Sequence, residues 1–218
     1  MIPAPFRRLV APGLSLATAL ALAACSSAGG ATPLPSAAAS AAGSAATTTA
    51  CPTSQPPALP AGETRTVTIQ TAKGAIAIRV QADLSPIAAG NFVALAGCGL
   101  YDGVIFHRVV PGFVIQGGDP ASAGRQRLGY QIQDEPVTAI YGRGTVAMAR
   151  TGAPNSVTSQ FFIVLDDGAR AGLAQYNTYQ IIGTVMSGME AVDAIAAAAD
   201  AESPSNPIVM TTVTVSNP

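Results

Sequence analysis

Phe106-His107-Arg108-Val109-Val110-Pro111-Gly112-Phe113-Val114-Ile115-Gln116-Gly117-Gly118-Asp119-Pro120 is the stretch on which the reading of this chain turns. Two short apolar runs, 104–110 and 113–116, are separated by Pro111-Gly112, a pair of strong chain punctuators. Short apolar runs bounded by Gly and Pro read as strands. Further runs of this kind follow at 144–149, 161–165, 180–185 and 208–215. Toward the N-terminus, residues 66–70 and 75–80 alternate with period two and are joined by Thr71-Ala72-Lys73-Gly74. That predicts a β-hairpin, with Gly74 where a tight turn calls for positive φ. Two segments break the strand pattern. Residues 85–96 open with Ser85-Pro86, a cap residue followed by proline at the first helical position. Ile87, Phe92 and Leu95 share roughly one face, so this segment predicts an amphipathic helix. Residues 189–199 are Ala-rich and also read as helical. Many short strands with two helices predict an antiparallel barrel.

Composition narrows the chemistry. Of the 218 residues, 49% are hydrophobic and 11% charged, enough apolar material for a sizeable core. Lys plus Arg number 11 against 12 for Asp plus Glu, a formal net charge of −1. A nucleic-acid binder usually carries a basic face, so no nucleic-acid partner is expected. With one histidine and three cysteines, neither a multi-histidine metal site nor a four-cysteine zinc site can be built. No metal and no cofactor are expected, and nothing argues against a monomer.

The N-terminal quarter has a different character. Arg7 and Arg8 precede an uncharged run, and no charged residue occurs between Arg8 and Glu63. A basic start, an apolar stretch and then small residues is the layout of a secretory signal, assigned here to 1–24. The run is short for a membrane-spanning helix, which needs about 20 apolar residues. It ends in Leu22-Ala23-Ala24-Cys25, which looks like a bacterial lipobox. That resemblance implies lipidation of Cys25 and attachment to the membrane; a plain signal peptide or an uncleaved anchor is the alternative. Residues 25–62 then read as the lipidated cysteine and a flexible Ala/Ser/Pro/Thr tether, too poor in bulky apolar residues to offset its ordering entropy. The folded domain is assigned to 63–218. With Cys25 lipidated, Cys51 and Cys98 are left as an even pair in an exported chain, which suggests a disulfide; two free thiols are the alternative.

The opening stretch, taken with Met148-Ala149-Arg150 and Ser159-Gln160-Phe161-Phe162 downstream, closely resembles the two signature stretches of the cyclophilins. The likeness runs from about Arg65 to Val215. It implies a mainly β fold, an eight-stranded antiparallel barrel closed by two α-helices, and peptidyl-prolyl cis-trans isomerase activity on proline-containing polypeptide clients. Carried over by position, Arg108 matches the family's catalytic arginine, Gln116 the polar residue that braces it, and Phe113 the proline-pocket aromatic. Val114 is its apolar neighbour. Met148, Ala149 and Arg150 match the strand that binds substrate, the last two through their backbone. Gln160 and Phe162 complete the pocket. The chain departs from the pattern in two places. It has no tryptophan, and Leu173 stands near the family's usual Trp. Tyr179 stands where the family often has a histidine.

The implied chemistry needs no nucleophile. Twisting a peptide bond forfeits amide resonance, a barrier of about 18–20 kcal/mol. In the twisted state the prolyl nitrogen regains its lone pair, and a donor aimed there stabilises that state over the planar one. An arginine can supply such a donor and stays charged at any relevant pH. Two other classes compete with this reading. A cyclophilin fold could grip proline segments without catalysis, which the retained Arg108, Gln116, Phe113 and Phe162 argue against. A hydrolase would need a triad, and the lone His107 belongs to the isomerase motif. Taken singly, His107 and Asp119 read as structural, the latter as a turn residue, and Arg150 can reach substrate through its side chain or serve through its backbone alone.

Overall fold

The computed structural model describes residues 50–217. The signal, Cys25 and most of the expected tether lie outside these residues. Eight strands form one antiparallel sheet: β1 (Thr64–Thr71), β2 (Gly74–Gln81), β3 (Phe106–Val110), β4 (Val114–Gly117), β5 (Thr145–Met148), β6 (Phe161–Val164), β7 (Ile181–Ser187) and β8 (Met210–Ser216). Their order across the sheet is β3-β4-β6-β5-β7-β2-β1-β8. The sheet curls until its two edges approach, where an isolated antiparallel bridge joins Ile105 to Val209. Around it, the Gly103 N–H donates to the Met210 carbonyl (2.7 Å) and the Phe106 N–H to the Ile208 carbonyl (2.9 Å).

Period-two alternation decides which side chains fill the interior. Val67 and Ile69 of β1 and Ile76, Ile78 and Val80 of β2 are fully buried, while their neighbours Thr66, Thr68 and Arg79 are not. The hairpin closes at Gly74 with φ of +122°, where a β-carbon would be strained. Inside, Phe92, Tyr101 and Phe161 stack pairwise at centroid distances of 5.1 to 5.6 Å.

Among the described residues there are three α-helices, not two: α1 (Pro86–Gly97), α2 (Arg170–Tyr176) and α3 (Met189–Ala198). Helix α2 falls in the 166–178 loop, where Gly, Ala and polar residues give no helical periodicity. Helix α1 is not amphipathic, because Ala88, Ala89, Gly90, Asn91, Phe92, Leu95 and Ala96 are all buried. One side packs over β7 and β8. The other is covered by residues 51–62, which the sequence assigns to the tether. Leu59 is buried in the main core, and its N–H donates to the Pro86 carbonyl at 2.9 Å. A β-carbon on Gly90 would lie 2.3 Å from the Pro57 carbonyl oxygen, so the strap needs glycine there. Cys51 and Cys98 are bonded, with Cα atoms 5.1 Å apart, joining the strap to the end of α1. The domain therefore begins about a dozen residues earlier than its charged and alternating sequence begins.

Ser85 does not cap α1 with its side chain, and its hydroxyl is buried without a partner. Glu135 replaces it. Its carboxylate accepts from the Ile87 N–H (2.8 Å) and the Ala88 N–H (2.9 Å), satisfying two donors that a helix start leaves open.

Candidate active site

Consecutive residues of β4, β5 and β6 face opposite ways, and this sorting builds the site. Ile115, Val146, Met148, Phe161 and Ile163 point into the main core. Val114, Ala147, Phe162 and Val164 point the other way and form a second apolar layer with Tyr141, Leu173 and Ile181. On this layer sits an open pocket of about 110 Å³. Arg108 from β3, Val114 and Gln116 from β4, and Phe113 from the turn between them form one wall. Ala149 and Arg150 just past β5, Phe162 of β6, Leu173 of α2 and Tyr179 ahead of β7 complete it. Phe162 and Tyr179 meet edge to face, centroids 5.4 Å apart, which fixes both rings. The Ala149 N–H donates to the Gln160 carbonyl (2.8 Å), and Arg150 enters no backbone pairing among the described residues. That leaves a short free backbone edge along the pocket. A second recess of about 130 Å³ adjoins it, sharing Gln116, Ala149 and Arg150 and adding Thr151, Ser156, Thr158 and Gln160.

Most of the residues singled out from the sequence are thus brought together; Met148 and Gln116 behave differently from expectation, and for Arg150 the structure bears on which of its two roles is open. Met148 is fully buried in the main core and does not line the pocket. Strand alternation turns it inward, while its neighbours Ala147 and Ala149 face the site side. Gln116 does not brace Arg108, although the two are cross-strand partners. Its side-chain amide Nε2–H donates to Gln160 Oε1 at 3.0 Å instead. The Arg108 guanidinium is held by Glu202, whose Oε1 accepts from Nε at 2.7 Å. The Arg150 side chain is not free to reach substrate. It pairs with Asp134 at 3.0 Å, donates to the Ala153 carbonyl at 2.7 Å, and is only 10% exposed.

His107 lies outside the pocket lining, half-buried, and burial lowers its pKa below the usual imidazole value. Asp119 caps the 3-10 turn Pro120–Ala123 and pairs with Arg127 at 2.7 Å, which holds its carboxyl below the usual range. Two contributors had no sequence signal. Tyr141 fixes the backbone of Tyr179 from behind: its hydroxyl donates to the Tyr179 carbonyl (2.9 Å) and accepts from the Tyr179 N–H (3.2 Å). Burial pushes the Tyr141 phenol up to about 12. Glu202 comes from the loop between α3 and β8, 94 residues from Arg108. Neither pairing can be read from local spacing.

An open pocket of about 110 Å³ on the curled sheet, lined by a cation, aromatic and apolar side chains and free strand backbone, could hold a compact apolar residue of a peptide. Comparison with known proteins makes this specific. Residues 66–215 match the model of the cyclophilin type peptidyl-prolyl cis-trans isomerase/CLD family. Peptidyl-prolyl cis-trans isomerase A of Dickeya dadantii is 37% identical over 146 residues, covering 66% of this chain and 77% of that protein. A peptidyl-prolyl cis-trans isomerase of Acinetobacter baylyi is 38% identical over 133 residues, covering 60% and 71% respectively. The crystal structure of a Cryptosporidium parvum cyclophilin type peptidyl-prolyl cis-trans isomerase superimposes with a TM-score of 0.63 at 32% identity, over 71% of this chain and 99% of that one. The chain belongs to the cyclophilin-type peptidyl-prolyl cis-trans isomerases, and rotation of peptidyl-prolyl bonds is its activity.

Proposed function

We propose that this isomerase acts on exported and envelope proteins, tethered to the membrane by a lipidated Cys25, with Arg108 as its catalytic group. The observation that carries the catalytic assignment is one pocket lined together by Arg108, Phe113, Phe162 and Leu173. A proline ring in that apolar cup sets its nitrogen toward the arginine wall. The guanidinium N–H groups donate to the nitrogen lone pair as it develops, so the interaction is stronger in the twisted state than in the planar one. Val114, Leu173 and Tyr179 keep the ring dry. The backbone at Ala149 and Arg150 and the amides of Gln116 and Gln160 hold the residues before proline while the prolyl side turns. No bond is broken, so neither metal nor cofactor takes part.

Supporting the location are the signal-like 1–24 and the lipobox-like Leu22-Ala23-Ala24-Cys25. The tether then covers about 26–49, and the chain works as a monomer on proline-containing polypeptides.

The test is a protease-free isomerisation assay on a proline peptide, such as exchange spectroscopy. Arg108→Ala should lower kcat/KM by about a hundredfold or more, as removal of one preorganised donor does elsewhere. Its circular dichroism should match the unsubstituted protein. Full activity in that variant would end the assignment.

A further inference from the structure

We infer that Glu202 is a positioning residue for Arg108, setting the direction of the guanidinium by occupying its Nε edge. The inference rests on the catalytic reading of Arg108. The Arg108 Nε–H donates to Glu202 Oε1 at 2.7 Å, within the range of a charge-assisted hydrogen bond. The glutamate does not dangle from a loose loop. Its carbonyl accepts the N–H of Val109, the next residue of β3, at 2.8 Å. Backbone and side chain of one residue thus grip two successive residues of the strand that carries the arginine. The loop is tied further by Asp200, whose carboxylate accepts the Ser205 N–H at 2.9 Å.

Nothing else among the described residues holds the guanidinium by a hydrogen bond. Gln116, the cross-strand neighbour, is engaged with Gln160. A guanidinium is a flat fork of five N–H donors, so fixing its Nε edge fixes the plane and leaves the Nη donors for the pocket that Arg108 lines. The Arg108 side chain is 37% exposed and that of Glu202 63% exposed, and ion pairs this open add little to stability. The consequence of the pair is therefore geometric, and it falls on turnover.

The experiment measures kcat and KM for a proline peptide in Glu202→Ala, Glu202→Gln, Arg108→Ala and the Arg108→Ala/Glu202→Ala double variant. Glu202→Ala should lose about three- to tenfold in kcat, as misaligned catalytic groups do, with KM little changed. Its Tm should hold, because the carbonyl clasp to Val109 needs no side chain. Glu202→Gln keeps an acceptor oxygen and should restore most of the rate. In the Arg108→Ala background, Glu202→Ala should have no further effect. Unchanged or raised kcat in Glu202→Ala, or an equal loss in the Arg108→Ala background, would overturn the inference while an inactive Arg108→Ala leaves the catalytic reading standing. Wild-type activity in Arg108→Ala would instead remove the reading itself.

Discussion

Phe161 packs edge-on against Phe92, Tyr101 and Phe106 inside the barrel, while its chain neighbour Phe162 faces the pocket and meets Tyr179. The same alternation separates Met148 from Ala149, and it yields a paired prediction. Met148→Ala should cost about 2–5 kcal/mol of stability in chemical denaturation, as buried large-to-small changes do, without raising KM of the folded enzyme. Phe113→Ala should do the reverse, weakening peptide binding by roughly tenfold, or about 1.4 kcal/mol, with little loss of stability. A raised KM in Met148→Ala would place that side chain back in the site. His107 supplies a second residue-scale prediction, because it is the only histidine in the chain. Burial is the main cause lowering its pKa, with Arg108 adding to the effect and Asp119 opposing it. The unfolded chain therefore binds a proton near pH 6.5 that the folded chain still refuses. Stability should be full above that pH and fall as pH drops toward the folded-state value. Thermal unfolding from pH 8 to pH 5 should show this slope, and His107→Gln should flatten it. Isomerase activity should change little between pH 6 and 8, because His107 lies outside the pocket lining.

At the scale of elements, α1 shows how a helix is recruited from outside its own sequence. Its buried residues surround it because the barrel lies on one side and the strap 51–62 on the other. Its N-terminal donors go to Glu135, and Gln180 also donates to that carboxylate at 3.2 Å. The Cys51–Cys98 bond ties the strap to the helix end across 47 residues of chain. Constraining the unfolded chain over a loop of this size is worth about 2–4 kcal/mol. Cys51→Ser/Cys98→Ser should therefore unfold at lower denaturant while keeping its isomerase rate, because no pocket residue belongs to the strap. An unchanged midpoint would mean that Leu59 and the backbone contacts hold the strap unaided.

For the whole molecule, the prediction concerns where the domain is kept. Mass spectrometry of the mature protein from its native host should find an acylated N-terminal Cys25, and Cys25→Ala should release the protein from the membrane fraction. A mature chain that starts elsewhere would refute the anchor. Much of this architecture was legible in the linear chain. Period-two alternation marked β1 and β2, short apolar runs bounded by Gly and Pro marked the later strands, Ser85-Pro86 marked the start of α1, and the Phe106–Pro120 stretch singled out Arg108, Phe113 and Gln116. Those signals are local, set by side-chain alternation and backbone preference over a few residues, so a sequence carries them whatever surrounds it. Other features depended on the sheet order β3-β4-β6-β5-β7-β2-β1-β8, which brings distant segments side by side. Helix α2, with little periodicity of its own, forms where Leu173 can bury against the pocket layer. Leu59 leaves a Pro-rich stretch for the core only because α1 offers it a place. Glu135 caps a helix 48 residues away, and Glu202 meets an arginine 94 residues away. Contacts at such separations have no spacing to read, because only the curled sheet fixes which distant residues become neighbours.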